Sequence, residues 1–229
     1  MIHHDGSSLT DRAYNHIRTC VLRGSYQPGQ RLVTRQIAAE VGASLNPVRE
    51  ALGRLSAEGL IDHVPGSGAF VHIPTASEII ELYEFREAIE PFAAARAARL
   101  ITDAELALLG GICEEQHAIA QSLQKNGGSL ASEALENWFA TEERFNRAII
   151  HAARNRYLDR SIEQSRTLSL VFQSQRALGV KVTLSITART WQVHRRLLRA
   201  LQDRDSDVAA KCVHDALRKG ARTVLAAFS

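Results

Sequence analysis

Two short amphipathic segments joined by a very tight turn constrain this chain more than any other feature. Ile37, Ala38 and Val41 mark the inner face of one helix, and Gly42 stops it. Val48, Ala51, Leu52 and Leu55 mark a second helix, which starts near Ser44 or Asn46 and ends by Gly59. Ser and Asn both cap helix N-termini well, and Pro47 stands in the first turn, where a missing N–H is not missed. The Gly42-Ala43-Ser44 corner between the two predicts a helix-turn-helix. Upstream, Leu9, Ala13, Ile17, Cys20 and Val21 have the spacing of a further amphipathic helix, broken by Gly24 and Pro28-Gly29. Downstream, two strand-like runs, 60–64 and 69–73, flank Pro65-Gly66-Ser67-Gly68, which reads as a hairpin tip. Three helices and a glycine-tipped hairpin make a winged helix-turn-helix.

Charge placement adds to this. All four lysines (Lys125, Lys181, Lys211, Lys219) lie in the second half, so the first half uses arginine alone for side chains that stay cationic. Between Arg31 and Arg54 there are four arginines, Arg31, Arg35, Arg49 and Arg54, against Glu40 and Glu50. A solvated helical surface would look the same. The planar guanidinium also suits phosphate and the guanine edge, and the helix-turn-helix setting favours that use.

Here the sequence resembles a known family. Pro28-Gly29-Gln30-Arg31-Leu32, Ile37 to Ser44, Pro47-Val48-Arg49-Glu50-Ala51-Leu52, Glu58-Gly59-Leu60-Ile61 and Gly68-Ala69-Phe70-Val71 follow one another as in the DNA-binding domain of the GntR family. The resemblance implies that the third helix enters the major groove of operator DNA while the wing reaches a minor groove or phosphate. Carried over by position, the DNA contacts are Arg35, Ser44, Leu45, Asn46, Pro47 and Arg49, with Gly66 and Gly68 letting the wing backbone approach closely. Arg31 and Arg54 are secondary candidates. Many relatives have Arg-Thr-Pro where this chain has Leu45-Asn46-Pro47. Leucine can touch a thymine methyl and asparagine can pair with adenine, so the expectation is an altered operator sequence with DNA binding retained.

After Pro74-Thr75-Ala76, strand-like alternation gives way to helical spacing that runs to the end. Helices are predicted over 77–100, 103–124, 130–152, 155–178, 182–202 and 205–226, with breaks at Thr102-Asp103, Asn126-Gly127-Gly128, Asn155, Gly179 and Asp203-Arg204-Asp205. The fold class expected is therefore mainly α. A winged helix-turn-helix with a small β-hairpin wing occupies 1–74, and an all-α bundle of six antiparallel helices occupies 77–229.

This half resembles the FCD-type ligand-binding domain of one GntR branch, through Glu81 to Glu90, Phe145-Asn146-Arg147-Ala148-Ile149, Asn155, and His194 with Leu197-Leu198 and Ala200-Leu201. Such domains pair two chains into a homodimer and bind a small effector, and many hold a divalent metal such as zinc or nickel. Its ligands are an Asp and a His of an Asp-x-x-Phe-His helix and two histidines on the last two helices. Phe145 sets the register, so the matching positions here are Glu142, Asn146 and His194. The last ligand falls at Ala216, with His214 two residues early and roughly 200° around the helix. Asn146 is a poor ligand compared with histidine. Glu142, Asn146 and His194 can instead form a metal-free polar pocket or a purely structural cluster.

Arg86 and Glu90, spaced i, i+4, read either as an internal ion pair or as a carboxylate anchor formed by the Arg86 fork. Arg86, Glu142, Asn146 and His194 are thus the candidate effector site, and Arg166 and Gln173 are further inward candidates. The resemblance makes a repressor induced by a small organic acid the leading reading.

The remaining features exclude other classes. The three cysteines, Cys20, Cys113 and Cys212, are odd in number and far apart, which gives neither a disulfide framework nor a zinc ribbon. No apolar run is long enough to span a bilayer, and the polar start lacks a signal-peptide layout, so a cytoplasmic protein without membrane contact is expected. One rival is a metal-dependent enzyme on the bundle, which would need a complete ligand set and an open position. A winged module used only for protein contacts is the other.

Overall fold

In a computed structural model, residues 8–22, 24–125, 132–177 and 184–226 are described. The described parts of Met1–Thr75 and Arg166–Leu178 form one compact unit, and those of Ala76–Ser165 and Gly179–Ser229 form a second. No described helix is long and apolar enough to cross a membrane.

The first unit runs α1 (Leu9–Leu22), β1 (Arg31–Leu32), α2 (Thr34–Val41), α3 (Leu45–Ala57), β2 (Ile61–Val64) and β3 (Gly68–Val71). The spacing of apolar residues dictates which faces meet. Ala13, Ile17 and Val21 of α1 are buried with Ile37, Ala38 and Val41 of α2 and Val48, Ala51, Leu52 and Leu55 of α3. Leu60, Ile61, Ala69 and Val71 seal the core from the sheet side. The wing is a three-stranded antiparallel sheet in the order β1-β3-β2, with Val64 opposite Gly68 at the tip and Arg31 opposite Phe70 on the outer edge. The hairpin is where the sequence predicts it, and β1 is an addition to it.

The second unit consists of α4 (Ala76–Leu100), α5 (Asp103–Lys125), α6 (Ser132–Ala152), α7 (Arg156–Ala177, whose later half falls in the first unit), α8 (Leu184–Gln202) and α9 (Ser206–Leu225). Its helix starts use side-chain chemistry legible in the sequence. Thr102 and Glu105 form a reciprocal capping box at α5, with Glu105 Oε2 accepting from Thr102 N at 2.9 Å and Thr102 Oγ1 accepting from Glu105 N at 3.3 Å. Asn155 Oδ1 accepts from the N–H groups of Tyr157 and Leu158 at α7, and Asp205 Oδ1 from those of Asp207 and Val208 at α9. The expected breaks at 126–128 and 179 lie outside the described residues. α4 packs along α9, while α5 packs against α6 and α8. The core between them holds Ala94, Ala97, Ile101, Leu109, Ile112, Phe145, Ile149, Ile162, Leu201 and Ala209.

Candidate nucleic-acid interface and buried polar site

Each unit carries one candidate site. In the first, Gly42 ends α2 at φ 64, a left-handed conformation that glycine adopts without steric penalty, and its turn leads directly into α3. Ser44 is the N-cap residue of α3, but its side chain makes no capping hydrogen bond, so the hydroxyl is not consumed by its own helix. Arg35, Ser44, Asn46 and Arg49 are all exposed; Leu45 and Pro47 are half-buried.

The charges of this unit divide in a telling way. All five carboxylates among its described residues up to Thr75 have hydrogen-bond partners. Asp11 accepts from Arg54, Glu50 from Thr10, Glu58 from Tyr14, Glu40 from Tyr26 and His16, and Asp62 is 2.9 Å from His72 Nδ1. Arg12 donates to the Val41 carbonyl that ends α2. Arg31, Arg35 and Arg49, by contrast, make no hydrogen bond or ion pair among the described residues. Negative charge is therefore tied down while three guanidinium groups face outward. Arg54 separates from them: its Nη1 is 2.8 Å from Asp11 Oδ1 and its guanidinium lies 4.4 Å from the Tyr14 ring centroid, which makes it a tie between α3 and α1.

The wing tip needs its glycines. Gly66 has φ 75 and Gly68 has φ 114, and a Cβ at Gly66 would meet nothing within 4 Å. A Cβ at Gly68 would lie 3.5 Å from Arg31 Nε, so the Arg31 side chain reaches the tip end of the hairpin.

In the second unit, the structure brings Glu142 and His194 together and adds a residue that the sequence reading missed. Fully buried Gln116 of α5 donates from Nε2 to Glu142 Oε1 at 2.9 Å, and its Oε1 is 2.9 Å from His194 Nδ1. A carboxylate only accepts, which fixes the amide orientation, and the amide oxygen then requires His194 to carry its proton on Nδ1. His194 Nδ1 is also 3.5 Å from Glu142 Oε1, and its ring stacks on Phe145 at 3.8 Å between centroids. Fully buried Thr187 lies on the same helix two turns earlier. Asn146, half-buried one turn after Glu142, has no hydrogen-bond partner among the described residues. Burial pushes the neighbouring Cys113 thiol up to about 11.

The remaining candidates lie elsewhere. Buried Arg86 donates from Nε to Glu90 Oε1 at 2.6 Å, with its guanidinium 5.1 Å from the Tyr83 ring centroid, so the internal ion pair is what forms. His214 is half-exposed, with Nδ1 3.9 Å from Glu87 Oε2, and Ala216 offers no donor. The side chains of Arg166 and Gln173 are outside the described residues. His117 stacks on the half-buried Trp191 at 4.2 Å, whereas Trp138 is core. Among the described residues no three His, Cys, Asp or Glu side chains converge as a metal-binding group. A divalent ion therefore does not fit the donors present. Of the four implied ligand positions, Asn146 is a neutral, weakly basic amide and Ala216 offers no ligand atom, which leaves Glu142 and His194 alone.

Comparison with known proteins follows the same division. Residues 81–219 match the FCD domain family, and residues 9–71 match the family described as bacterial regulatory proteins, gntR family. A relative in Agrobacterium vitis, an uncharacterized HTH-type transcriptional regulator, is 28% identical over 62% of this chain and 78% of its own length. The HTH-type transcriptional regulator McbR of Escherichia coli is 29% identical over 69% of this chain and 66% of its own. The Nta operon transcriptional regulator of Aminobacter aminovorans is 35% identical, over 40% of this chain and 43% of its own length. Among solved structures, E. coli McbR/YncC superposes with a TM-score of 0.80 at 23% identity, covering 97% of this chain and 100% of that one. A putative GntR regulator from Rhodococcus gives 0.75 at 20% identity with the same coverage. At these identities the superpositions speak to the fold.

Proposed function

The chain belongs to the gntR family of bacterial regulatory proteins and carries an FCD domain, and from that premise we infer how it acts. It is a DNA-binding transcription regulator and not an enzyme. In the proposed complex, α3 lies in the major groove. Ser44, Asn46 and Arg49 contact bases or phosphates there, Leu45 and Pro47 pack against the groove wall, and Arg35 reaches the backbone. Gly66 and Gly68 let the wing backbone approach the duplex, and Arg31 joins them beside Gly68.

The observation that carries this reading is the division of charge in the first unit. Five carboxylates are engaged internally, while Arg31, Arg35 and Arg49 are left for phosphates. Each phosphate neutralised steepens the fall of log K with log salt by about 0.9. A salt titration on an operator duplex should therefore show a slope that flattens by roughly two when Arg49 becomes Ala, one phosphate contact being lost from each protomer of the proposed homodimer. An unchanged slope for Arg31→Ala, Arg35→Ala and Arg49→Ala together would refute the placement. Binding-site selection with Leu45→Arg should change the preferred operator sequence, because an arginine fork seeks guanine where leucine cannot.

The rest of the proposal concerns control. The protein is a cytoplasmic repressor that binds double-stranded DNA as a homodimer and is released by a small organic acid held in the helical unit. Exposed Phe85 and Phe92 on α4 support a self-association face. The half-buried amide of Asn146, one turn after Glu142 and without a hydrogen-bond partner among the described residues, supports a ligand pocket, whereas Arg86, engaged by Glu90, is a scaffold residue in this reading. An effector shifts operator binding only by its difference in affinity between DNA-competent and DNA-incompetent states. A thermal-shift screen of small carboxylates, followed by operator binding with each hit, tests it. A hit that raises the melting temperature without changing operator affinity would refute the control mechanism.

A further inference from the structure

The family resemblance implies a divalent ion where Glu142, Asn146 and His194 lie, and the donors present do not suit one. We propose that this chain has exchanged the ion for a carboxamide: Gln116 ties Glu142 to His194, and the organic effector, which rests on the reading proposed above, binds the helical unit with no ion between.

The chemistry of the cluster argues for exchange, beyond simple loss. A metal needs lone pairs from deprotonated ligands. Here Glu142 Oε1 accepts a hydrogen bond from Gln116 Nε2 at 2.9 Å, and His194 Nδ1 carries the proton that it donates to the amide oxygen of Gln116 at 2.9 Å, so the two side chains are already joined without an ion. The amide presents a donor to the carboxylate and an acceptor to the imidazole, so one neutral side chain satisfies both. It links α5, α6 and α8, the same mechanical task that a bridging cation performs in a bundle. Gln116 is fully buried in an otherwise apolar stripe of Leu109, Ile112, Cys113, Ala120 and Leu123. A glutamine there is costly unless both ends of its amide are bonded, and both are. The other two positions of the implied ligand set are equally unsuited to an ion. Asn146 offers a weakly basic amide oxygen, and Ala216 offers nothing.

The inference concerns the helical unit alone, so its test uses no DNA and its failure would leave the regulator reading intact. Full-length protein without an affinity tag is incubated with zinc or nickel chloride, desalted and analysed for bound metal, and its melting temperature is recorded with and without each ion. The wild-type chain should retain only substoichiometric metal and melt at the same temperature in both. Gln116→Met keeps the volume and removes both hydrogen bonds; it should melt lower, and neither ion should restore it. Gln116→Glu puts a second carboxylate against Glu142. It should also melt lower in chelator, but recover with either ion and retain about one per chain. The hits of the small-acid screen should give the same shift in excess chelator.

Three results would each overturn the proposal. The first is about one retained ion per wild-type chain that Glu142→Ala or His194→Ala abolishes. The second is a Gln116→Met variant that melts like wild type. The third is a Gln116→Glu variant indifferent to both ions.

Discussion

Gly53 offers a way to move stability and DNA binding in opposite directions with one substitution. It sits exposed in the middle of α3, and a Cβ built there would meet nothing within 4 Å. Four residues after Arg49 and seven after Asn46, it shares their stripe on the helix. A glycine inside a helix costs about 1 kcal/mol relative to alanine, and glutamate recovers most of that. Both Gly53→Ala and Gly53→Glu should therefore stabilise the first unit, by roughly 4–8 °C per kcal/mol for a domain of this size. Their effects on DNA should diverge. If α3 lies in the major groove, the new carboxylate stands about 5–6 Å from phosphates, where each like-charge contact costs about 0.7 kcal/mol in water-like surroundings. Two such contacts weaken binding roughly tenfold at low salt. Thermal melts and fluorescence anisotropy on one operator duplex, across a salt series, measure both quantities. A Gly53→Glu protein that binds as tightly as Gly53→Ala, with the same salt slope, would mean that this stripe does not face the duplex.

Three further outcomes follow from particular contacts. The hydrogen bond from Arg54, aided by Ser8, holds the Asp11 carboxyl below its usual range, and His16 with Tyr26 does the same for Glu40. Groups depressed in the folded state contribute stability that is complete above the unfolded carboxylate range and lost as pH falls below about 4. The first unit should therefore melt progressively lower there, and a double variant Asp11→Asn, Glu40→Gln that loses stability just as steeply would contradict this. Arg86→Met leaves Glu90 buried without its partner and should cost about 3–5 kcal/mol, whereas Arg86→Met with Glu90→Leu should cost far less. Equal chemical-denaturation midpoints for the single and double variants would show the pair to be unimportant. Gly42→Ala forces a side chain into the left-handed region at φ 64 and should cost about 1–2 kcal/mol, with Gly42→Asn milder. The nearest atom to the added Cβ is Arg12 Nη2 at 4.0 Å, so the penalty is one of backbone strain and not of packing.

What could be read from the chain alone depended on the range of the chemistry involved. Helix boundaries at Thr102, Asn155 and Asp205 were legible because a cap bonds to N–H groups only two or three residues on. The turn at Gly42 was legible because only a residue tolerant of positive φ closes so short a corner. β1 was not, since Arg31 and Leu32 are too few to show a period and become a strand only because β3 offers them an edge. The polar site lies between these cases. Gln116 interrupts an apolar stripe in plain view, which marks it as buried and in need of partners, but those partners are Glu142 and His194, 26 and 78 residues away. Arginine shows the same limit. Arg49 and Arg54 are the same residue type, five positions apart on one helix, yet Asp11, 43 residues before Arg54, reaches one and not the other. Composition counts both as positive charge. Only the folded chain decides which of them is left over for a phosphate, and function in this unit turns on that remainder more than on the sum.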